Sequence, residues 1–480
     1  MNRSVYHLGF CSLEKEATLD DLPVRGTVPP WLTGTLVRTG PAKFEVGDQR
    51  YNHWFDGLAM LHKFAFAAGR VAYANRYLRS QSYLEATATG RISRGEFATD
   101  PCRTLFQRVA TWFSPKLTDN CNVSVNKLAG EVVAYTETRM PIRFDPDTLN
   151  TLGGYGYDER IKGPVSIAHP HLDHARSRHY TYVLEFGRRS HYRLFSIDQS
   201  TGREAVVATL PVERPAYMHS FGMSERYLVM AEFPLVVNPL RLKFSGKPFI
   251  RNYQWEPDRG VRFHVVEKET GQVARTARTR AVFAFHHVNA FEEGEEVVVD
   301  MVAFPDSGVI DQLYLERLRS GEPVTATGKL TRFRIGSRGD ASDERLSEAR
   351  IELPRINYRR GAGRRYRYVY GAGNEMQGNF IDNLVKLDLE RNATTSWYEE
   401  GCYPGEPVFV ATPEAAGEDD GVILSVVLDS KKAASFLLIL DASNFRELAR
   451  AEVSHHIPFG FHGHYFAATS GPESFRDLHR

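Results

Sequence analysis

Short runs of apolar and aromatic residues, separated by turn residues, recur along almost the whole chain and constrain its fold more than any other feature. Each run is about four to eight residues long and is bounded by Gly, Pro, Asn or Asp, which is typical of a β-strand. Examples are GTLVRTG, AGRVAYANRY, GEVVAYTET, HYTYVLEFG, EEVVVDMVAF and GVILSVVLD. So many strands predict an all-β sandwich, barrel or propeller, and a length of 480 residues favours a propeller.

The strand pattern continues from about residue 34 onward without a linker or a low-complexity segment, so residues 1–480 are predicted to form one domain. Two segments interrupt the pattern with the periodicity of an amphipathic helix, at residues 102–113 and 309–319. We expect these two inserts, near 102–116 and 305–320, to form a helical cap over one face of the propeller.

Composition excludes several classes of protein. The 60 basic and 59 acidic residues leave a formal charge of +1, which does not indicate a nucleic-acid partner. The four cysteines, Cys11, Cys102, Cys121 and Cys402, have no paired spacing, which argues against a disulfide framework and favours a reducing cytoplasm. The first 21 residues contain no apolar core of signal-peptide length, and no run of about 18 apolar residues occurs.

Four clusters of histidine lie inside apolar or aromatic stretches: SIAHPHLDH, AYMHSFG, FAFHHVNAF and FGFHGHYF. A single buried histidine is usually a structural core residue, but four clusters on different strands suggest imidazoles that meet on a propeller axis. Imidazole suits Fe, Zn, Cu or Ni. The spacing does not select one ligand within a cluster, because His286 and His287 point to opposite faces of a strand and His462 and His464 share one face.

The order of motifs resembles the carotenoid cleavage oxygenase family, which includes carotenoid dioxygenases and the vertebrate retinoid isomerohydrolase. PPWLTGTLVRTGPAKFEVG and YNHWFDGLAMLHKF resemble the opening motifs of the family, and DPCR, TDN and YTETR follow in the family's order. The four histidine segments come next, as AHP, HSFG, FHHVNAFEE and PFGFHG. The resemblance covers nearly the whole chain.

This resemblance implies a seven-bladed β-propeller with one Fe(II) on its axis and no haem or organic cofactor. It assigns the metal ligands to His169, His219, His286 and His462. It also implies three carboxylates, Glu137, Glu352 and Glu406, each accepting the outer N–H of a ligating imidazole, which would fix the tautomer of that ring.

The implied reaction is cleavage of one C=C double bond of a carotenoid or apocarotenoid by O2, giving two carbonyl products. No general acid or base is assigned. The motifs WFDGLAMLH, DPCR and TETR resemble the animal-type branch, which favours central (15,15′) cleavage to retinal. Three alternatives stay open: a stilbene-cleaving dioxygenase of the lignostilbene type, non-oxidative isomerohydrolase chemistry, and a propeller that binds ligands without catalysis.

A polyene substrate is almost insoluble in water, so the protein is expected to collect it from a membrane surface. Residues 102–113 and 234–249 combine apolar residues with Arg and Lys, as segments at a membrane interface do. We therefore expect a cytoplasmic protein with monotopic membrane contact through these stretches. The expected contact residues are Leu105, Phe106, Val109, Trp112, Phe113, Leu240 and Leu242.

Overall fold

A computed structural model of the chain describes residues 5–101, 117–157 and 160–468. The predicted helix over residues 102–113, with the five expected membrane contacts that it carries, lies outside these ranges.

β-strands make up most of the described chain. The first are β1 (Ala17–Leu19), β2 (Val24–Gly26), β3 (Gly34–Lys43), β4 (Glu45–Val46), β5 (Gln49–Arg50), β6 (Leu58–Ala67), β7 (Arg70–Tyr77), β8 (Ser124–Leu128), β9 (Glu131–Tyr135), β10 (Ile142–Phe144), β11 (Thr151–Gly154) and β12 (Val165–Ser166). The next are β13 (His171–Asp173), β14 (Arg178–Glu185), β15 (Ser190–Asp198), β16 (Glu204–Val212), β17 (Gly222–Met223), β18 (Tyr227–Glu232), β19 (Leu235–Val237), β20 (Tyr253–Trp255), β21 (Val261–Glu267), β22 (Val273–Thr279), β23 (His287–Glu293) and β24 (Glu296–Ala303). The last are β25 (Lys329–Ile335), β26 (Ala341–Arg350), β27 (Glu352–Arg355), β28 (Tyr368–Gly373), β29 (Asn383–Asp388), β30 (Ala393–Tyr398), β31 (Cys402–Pro404), β32 (Val408–Ala411), β33 (Gly421–Asp429), β34 (Ala434–Asp441), β35 (Glu447–Val453) and β36 (Gly463–Ala467).

All but four of these strands form seven antiparallel sheets, which are the blades of a propeller, so the predicted fold is confirmed. The other four form two small sheets of two strands each, β4 with β5 and β19 with β20. Blade 1 has the order β1-β7-β6-β3-β36 and blade 2 has the order β11-β10-β9-β8. Blade 3 contains β12 to β16, and blade 4 contains β17, β18, β21 and β22. Blade 5 contains β23 to β26, blade 6 contains β27 to β30, and blade 7 contains β31 to β35 together with β2.

The hydrophobic core lies between the faces of adjacent blades. Leu36 and Phe64 of blade 1, for example, pack in one cluster with Leu424 and Leu437 of blade 7. Because a blade has a neighbour on both faces, its middle strands are buried on both sides, as β34 is. This explains why the middle strands have continuous apolar sequences instead of strict alternation.

Segments from opposite ends of the sequence close the ring. β36 pairs with β3 of blade 1, so that Val37 lies opposite His464 and Leu36 opposite Tyr465. β2 pairs with β35 of blade 7. Each closure joins segments that are more than 400 residues apart in the sequence, and it leaves the ring without an open junction between blades 1 and 7.

Helices are few among the described residues. They are α1 (Gln81–Thr89), α2 (Pro239–Phe244), α3 (Gly308–Gln312), α4 (Leu315–Ser320) and α5 (Tyr358–Gly361), with single 3-10 turns at His7–Phe10, Trp54–Asp56, Phe249–Asn252 and Pro257–Arg259. Within the described part of the chain, none has the length and apolar character needed to cross a bilayer.

The helix predicted over residues 309–319 is present, but it is divided into α3 and α4. The division falls where the main chain of Leu313 accepts a hydrogen bond from Trp54 N (3.1 Å) and Leu315 N donates to Asn52 O (2.9 Å). These contacts attach both helices, here called the cap helices, to residues 52–54 beside blade 1. An amphipathic pattern alone does not reveal them, because they connect segments about 260 residues apart.

Candidate metal centre

Each of the four histidines assigned from the sequence lies just before a short strand near the propeller axis. His169 precedes β13 by two residues, His219 precedes β17 by three, and His286 and His462 immediately precede β23 and β36. β36, β17 and β23 also adjoin strands of neighbouring blades, which places them at the inner ring of the propeller. The four imidazoles therefore come from blades 3, 4, 5 and 1.

The structure brings these four side chains together. One nitrogen from each imidazole lies within 4.8 Å of those of the other three. Nε2 of His169 is 2.9 Å from Nε2 of His219, and Nε2 of His286 is 3.0 Å from Nε2 of His462. We call this group the four-histidine centre.

The three assigned glutamates lie behind this centre, and each is within hydrogen-bonding distance of a different imidazole. Nδ1 of His219 lies 2.6 Å from Glu137, Nδ1 of His286 lies 2.6 Å from Glu352, and Nδ1 of His462 lies 2.6 Å from Glu406. The carboxylates come from blades 2, 6 and 7, so all seven blades contribute one side chain. Among the described residues, no carboxylate accepts a hydrogen bond from His169.

The donor set fits one metal ion. An imidazole whose Nδ1 donates to a carboxylate carries its lone pair on Nε2, so His286 and His462 direct two lone pairs at each other across 3.0 Å. Two such acceptors repel unless a cation lies between them. Metal–imidazole bonds are about 2.0–2.1 Å long, which puts two ligands at a right angle about 3 Å apart.

Burial and charge favour the protonation states that bind a metal. Burial lowers the pKa of His169 well below its ordinary value, and the neighbouring imidazoles lower it further. Burial also lowers the pKa of His462 to about 4, although Glu406 acts in the opposite direction. Burial would raise the pKa of Glu406, but Arg355 and His462 hold it well below its usual value. Neutral imidazoles and ionised carboxylates are the forms that a metal site requires.

Two histidines adjacent to the assigned ligands have structural contacts instead. Nε2 of His171 donates to the Phe221 carbonyl oxygen (2.7 Å), and Nδ1 of His287 lies 2.8 Å from the Ser220 hydroxyl. Burial lowers the pKa of His171 to about 4 and that of His287 to about 3. His169 and His286, and not these two neighbours, therefore contribute the nitrogens that meet in the four-histidine centre.

A large cavity opens onto the four-histidine centre. Its volume is about 1370 Å³, and His219, His286 and His462 form part of its wall. Its other wall residues are mostly apolar and include Trp54, Phe55, Phe97, Phe285, Phe304, Phe380 and Phe461. Phe285 and Phe461 directly precede two of the assigned ligands, so the chain that supplies the imidazoles also supplies aromatic surface beside them. A long apolar molecule could extend past the four-histidine centre.

Two further parts of the structure border this cavity. Val309 of α3 and Leu313 belong to its wall, as expected for a cap over one face. Residues 238–249, here called the rim segment, contribute several side chains to the wall of the cavity, and Leu240 and Phe244 in it are 65% and 55% exposed. Leu242 is half-buried and packs against the main core, so it is less available for outside contact than Leu240.

Sequence reasoning missed three side chains around the carboxylates. The Tyr217 hydroxyl donates to Glu137 (2.8 Å), and the Arg355 guanidinium contacts Glu406 through Nε (2.7 Å). Arg38 is buried and donates to the main-chain oxygen of Glu406 (3.2 Å). Tyr217 could have been found, since it lies two residues before His219 in AYMHSFG. No local signal marks the two arginines.

The chain matches a known family model over residues 10–467, with the description "Retinal pigment epithelial membrane protein". Among curated relatives, a mitochondrial carotenoid-cleaving dioxygenase from Macaca fascicularis is 35% identical, over 92% of this chain and 90% of the relative. A β,β-carotene 15,15′-dioxygenase from Gallus gallus is 34% identical, over 92% of this chain and 94% of the relative.

Solved structures also resemble the chain over almost its full length. A variant of Synechocystis apocarotenoid oxygenase superposes with a TM-score of 0.87 at 27% identity, over 97% of this chain and 98% of the other. A cobalt-substituted form of the Synechocystis enzyme superposes with a TM-score of 0.85 at 26% identity, over the same shares of the two chains.

Proposed function

The chain belongs to the carotenoid cleavage oxygenase family, and we propose that it is an Fe(II)-dependent dioxygenase that cleaves one C=C double bond of a carotenoid or apocarotenoid. The observation that carries this proposal is the four-histidine centre in the wall of a large apolar cavity. Relatives named as carotenoid dioxygenases and the cobalt-substituted structure of a related enzyme support it.

His169, His219, His286 and His462 would hold the ion, and Glu137, Glu352 and Glu406 would aim three of the rings. When bound there, a ferrous ion would supply the redox chemistry that activates dioxygen. Four neutral ligands add no negative charge of their own, and the carboxylates behind three of them raise the basicity of the imidazoles. Each carbon of the cleaved bond receives one oxygen atom from O2, which gives two carbonyl products.

The protein determines which double bond reacts by the way in which it holds the polyene. The aromatic wall of the cavity packs against an extended apolar chain and excludes water from it. The double bond that rests beside the four-histidine centre is the one that is cleaved, so the shape of the cavity on either side fixes the cleavage position. We propose central (15,15′) cleavage to retinal, in line with the Gallus gallus relative.

We also propose that the rim segment contacts a lipid surface from which the substrate enters. Leu240 and Phe244 expose most of their surface at the border of the cavity, and exposed Arg241 and Lys247 stand beside them. Apolar side chains flanked by basic ones bind the interface of anionic membranes.

The proposal is tested by loading the protein anaerobically with Fe(II), removing unbound metal and measuring the iron content. The loaded protein is then given β-carotene, apocarotenals or lignostilbene under 18O2. We expect about one iron per chain and aldehyde products that carry 18O. Cleavage of the stilbene alone would favour a lignostilbene-type dioxygenase, and a product with no oxygen from O2 would favour isomerohydrolase chemistry. Failure to retain any iron would contradict the proposal and favour a non-catalytic propeller.

Two neighbouring variants make the test specific to the four-histidine centre. His286→Ala removes an assigned ligand, whereas His287→Ala removes a histidine that contacts Ser220. We expect His286→Ala to lose both iron and turnover and His287→Ala to keep its iron. Equal iron content in the two variants would contradict the ligand assignment.

A further inference from the structure

The three carboxylates behind the four-histidine centre differ in the charge of their other partners. In addition to its contact with the imidazole of His219, Glu137 accepts a hydrogen bond from the neutral hydroxyl of Tyr217 (2.8 Å). Glu352 accepts one from the neutral main-chain N–H of Leu353 (2.5 Å). Within the described ranges, neither forms an ion pair with a lysine or an arginine. Glu406 is different, because a guanidinium group contacts it directly.

Arg355 provides that guanidinium group. Its Nε donates to Oε1 of Glu406 at 2.7 Å, and the same oxygen lies 2.6 Å from Nδ1 of His462. Its Nη2 donates to the main-chain oxygen of Gly463 at 2.5 Å. Glu406 is fully buried, and the side chain of Arg355 is 32% exposed. A continuous path of hydrogen bonds therefore leads from an assigned ligand to a cation at the protein surface.

The backbone of β27 is shaped to make this contact. Glu352 and Arg355 are three residues apart, so a regular strand would direct them to opposite faces. The pairing of β27 with β28 shifts register between these two residues, and Leu353 has φ of 50°. A bulge of this kind reorients side chains. It lets one short strand supply both a carboxylate to His286 and a cation to Glu406.

We propose that Arg355 is a positioning residue that raises the ferric/ferrous midpoint potential of the iron held by the four-histidine centre. This inference rests on the proposed function. A divalent ion, four neutral imidazoles and three carboxylates have a net charge of −1, and Arg355 adds one positive charge in direct contact with Glu406. Loss of one electron from the ion to an external acceptor raises the local positive charge, and a nearby fixed cation opposes that loss. Arg355 thus favours the ferrous state.

Arg38 has a separate role and remains unchanged in the test. It is only 4% exposed, and it donates to the main-chain oxygens of Glu406 (3.2 Å) and Phe461 (2.9 Å). It therefore ties together the segments that carry Glu406 and His462. Its removal would leave two buried carbonyl groups without their donor and would confound any electrostatic effect.

The experiment is an anaerobic redox titration of the iron-loaded protein, followed by the ferric signal in electron paramagnetic resonance. The variants are Arg355→Gln and Arg355→Met, which remove the charge, and Arg355→Lys, which keeps it. Tyr217→Phe is the matched control, because it removes a neutral donor from the equivalent carboxylate Glu137. Iron content and thermal midpoint are measured for each protein.

We expect Arg355→Gln and Arg355→Met to shift the midpoint potential downward together, Arg355→Lys to stay near the parent protein, and Tyr217→Phe to shift it less than the neutral variants. An unchanged potential in the neutral variants would overturn the inference while leaving the proposed function intact. So would an equal fall in Arg355→Lys or in Tyr217→Phe, since the cause would then be a lost contact and not a lost charge. A parent protein that binds no iron would overturn both. If one neutral variant does not fold, the other is compared with Arg355→Lys.

Discussion

At the scale of the residue, the arrangement of His286 and Glu352 illustrates how the protein prepares an imidazole for a metal. Oε2 of Glu352 accepts hydrogen bonds from Nδ1 of His286 and from the main-chain N–H of Leu353, so the position of the carboxylate is itself fixed. Burial alone would raise the pKa of Glu352, but His286 lowers it below the usual value. The result is an ionised acceptor that orients the ring of His286, so that its Nε2 is directed at the other three rings.

We predict that Glu352→Gln weakens metal binding. The amide carries no charge, so it orients the ring of His286 less strongly and makes the imidazole less basic. Loss of such a partner usually costs about 10–100-fold in metal affinity. The measurement is competition with a chelator of known affinity. Glu400→Gln, which makes the same change at a side chain that is 80% exposed, serves as the control and is expected to bind like the parent protein. Equal affinity in the Glu352 variant would show that this carboxylate does not support the site.

The candidate ligands could be found from the sequence only in part. Apolar surroundings singled out the clusters that contain His169, His219, His286 and His462, but only the family resemblance chose within them. Strand alternation fails at this point because the ligands lie just before the strands, where the backbone is irregular. Arg355 was missed for a different reason: its partner Glu406 is 51 residues away and on another blade, and no local pattern encodes such an ion pair.

At the scale of the element, His53 joins the cap helices to the propeller. Its Nε2 donates to the Ile310 carbonyl oxygen of α3 (3.0 Å), and its Nδ1 accepts from Phe55 N (3.2 Å). His53 is fully buried, and in its neutral form both ring nitrogens form a hydrogen bond. Burial lowers the pKa of His53 from 6.5 to about 3.

This predicts an acid sensitivity that His53→Asn should reduce. A histidine whose pKa is lowered on folding contributes stability that is fully present above pH 6.5 and is lost as the pH falls toward 3. Between pH 7 and pH 5, the loss of unfolding free energy caused by His53 is about 2 kcal/mol. Urea unfolding of the metal-free protein should therefore show a smaller loss of unfolding free energy over this interval in the variant. His191→Asn, at a half-buried position, is the control and should show the same loss of unfolding free energy between pH 7 and pH 5 as the parent protein. An identical loss in parent and His53→Asn would rule out His53 as a source of the acid sensitivity.

Element prediction succeeded where a segment is regular and failed where distant contacts decide. The apolar runs locate strands such as β3, β33 and β34, because packing between blades requires apolar residues on both faces. The helix α1 was missed, although Ser80 caps its first turn and Gly90 follows it with a positive φ. The helix predicted over residues 309–319 is not continuous, because residues 52–54 hydrogen-bond to the main chain at its middle.

At the scale of the whole molecule, the cavity connects the four-histidine centre with the rim segment. A substrate that dissolves poorly in water would have to pass from a lipid phase into this cavity, which is why we propose that the exposed rim side chains contact a membrane. The described part of the chain contains no helix able to span a bilayer.

We predict that Leu240→Glu combined with Phe244→Glu reduces binding to vesicles of phosphatidylcholine and phosphatidylserine. Full burial of each apolar side chain contributes about 1.5–3 kcal/mol, so binding should fall by about tenfold or more even if the insertion is partial. The measurement is cosedimentation with vesicles. Leu152→Glu changes another exposed leucine, on β11 of blade 2, and should bind like the parent protein. Undiminished binding of the double variant would exclude the rim segment as the contact surface.

The closure of the ring by β36 has a consequence for biosynthesis. His462 directly precedes that strand and follows His286 by 176 residues, so three of the assigned ligands leave the ribosome long before the fourth is translated. A nascent chain can offer iron only an incomplete set of donors. Under the proposed function, coordination by all four histidines would have to wait until β36 has docked on β3, so metal acquisition would be a late event in maturation and would be linked to completion of the ring.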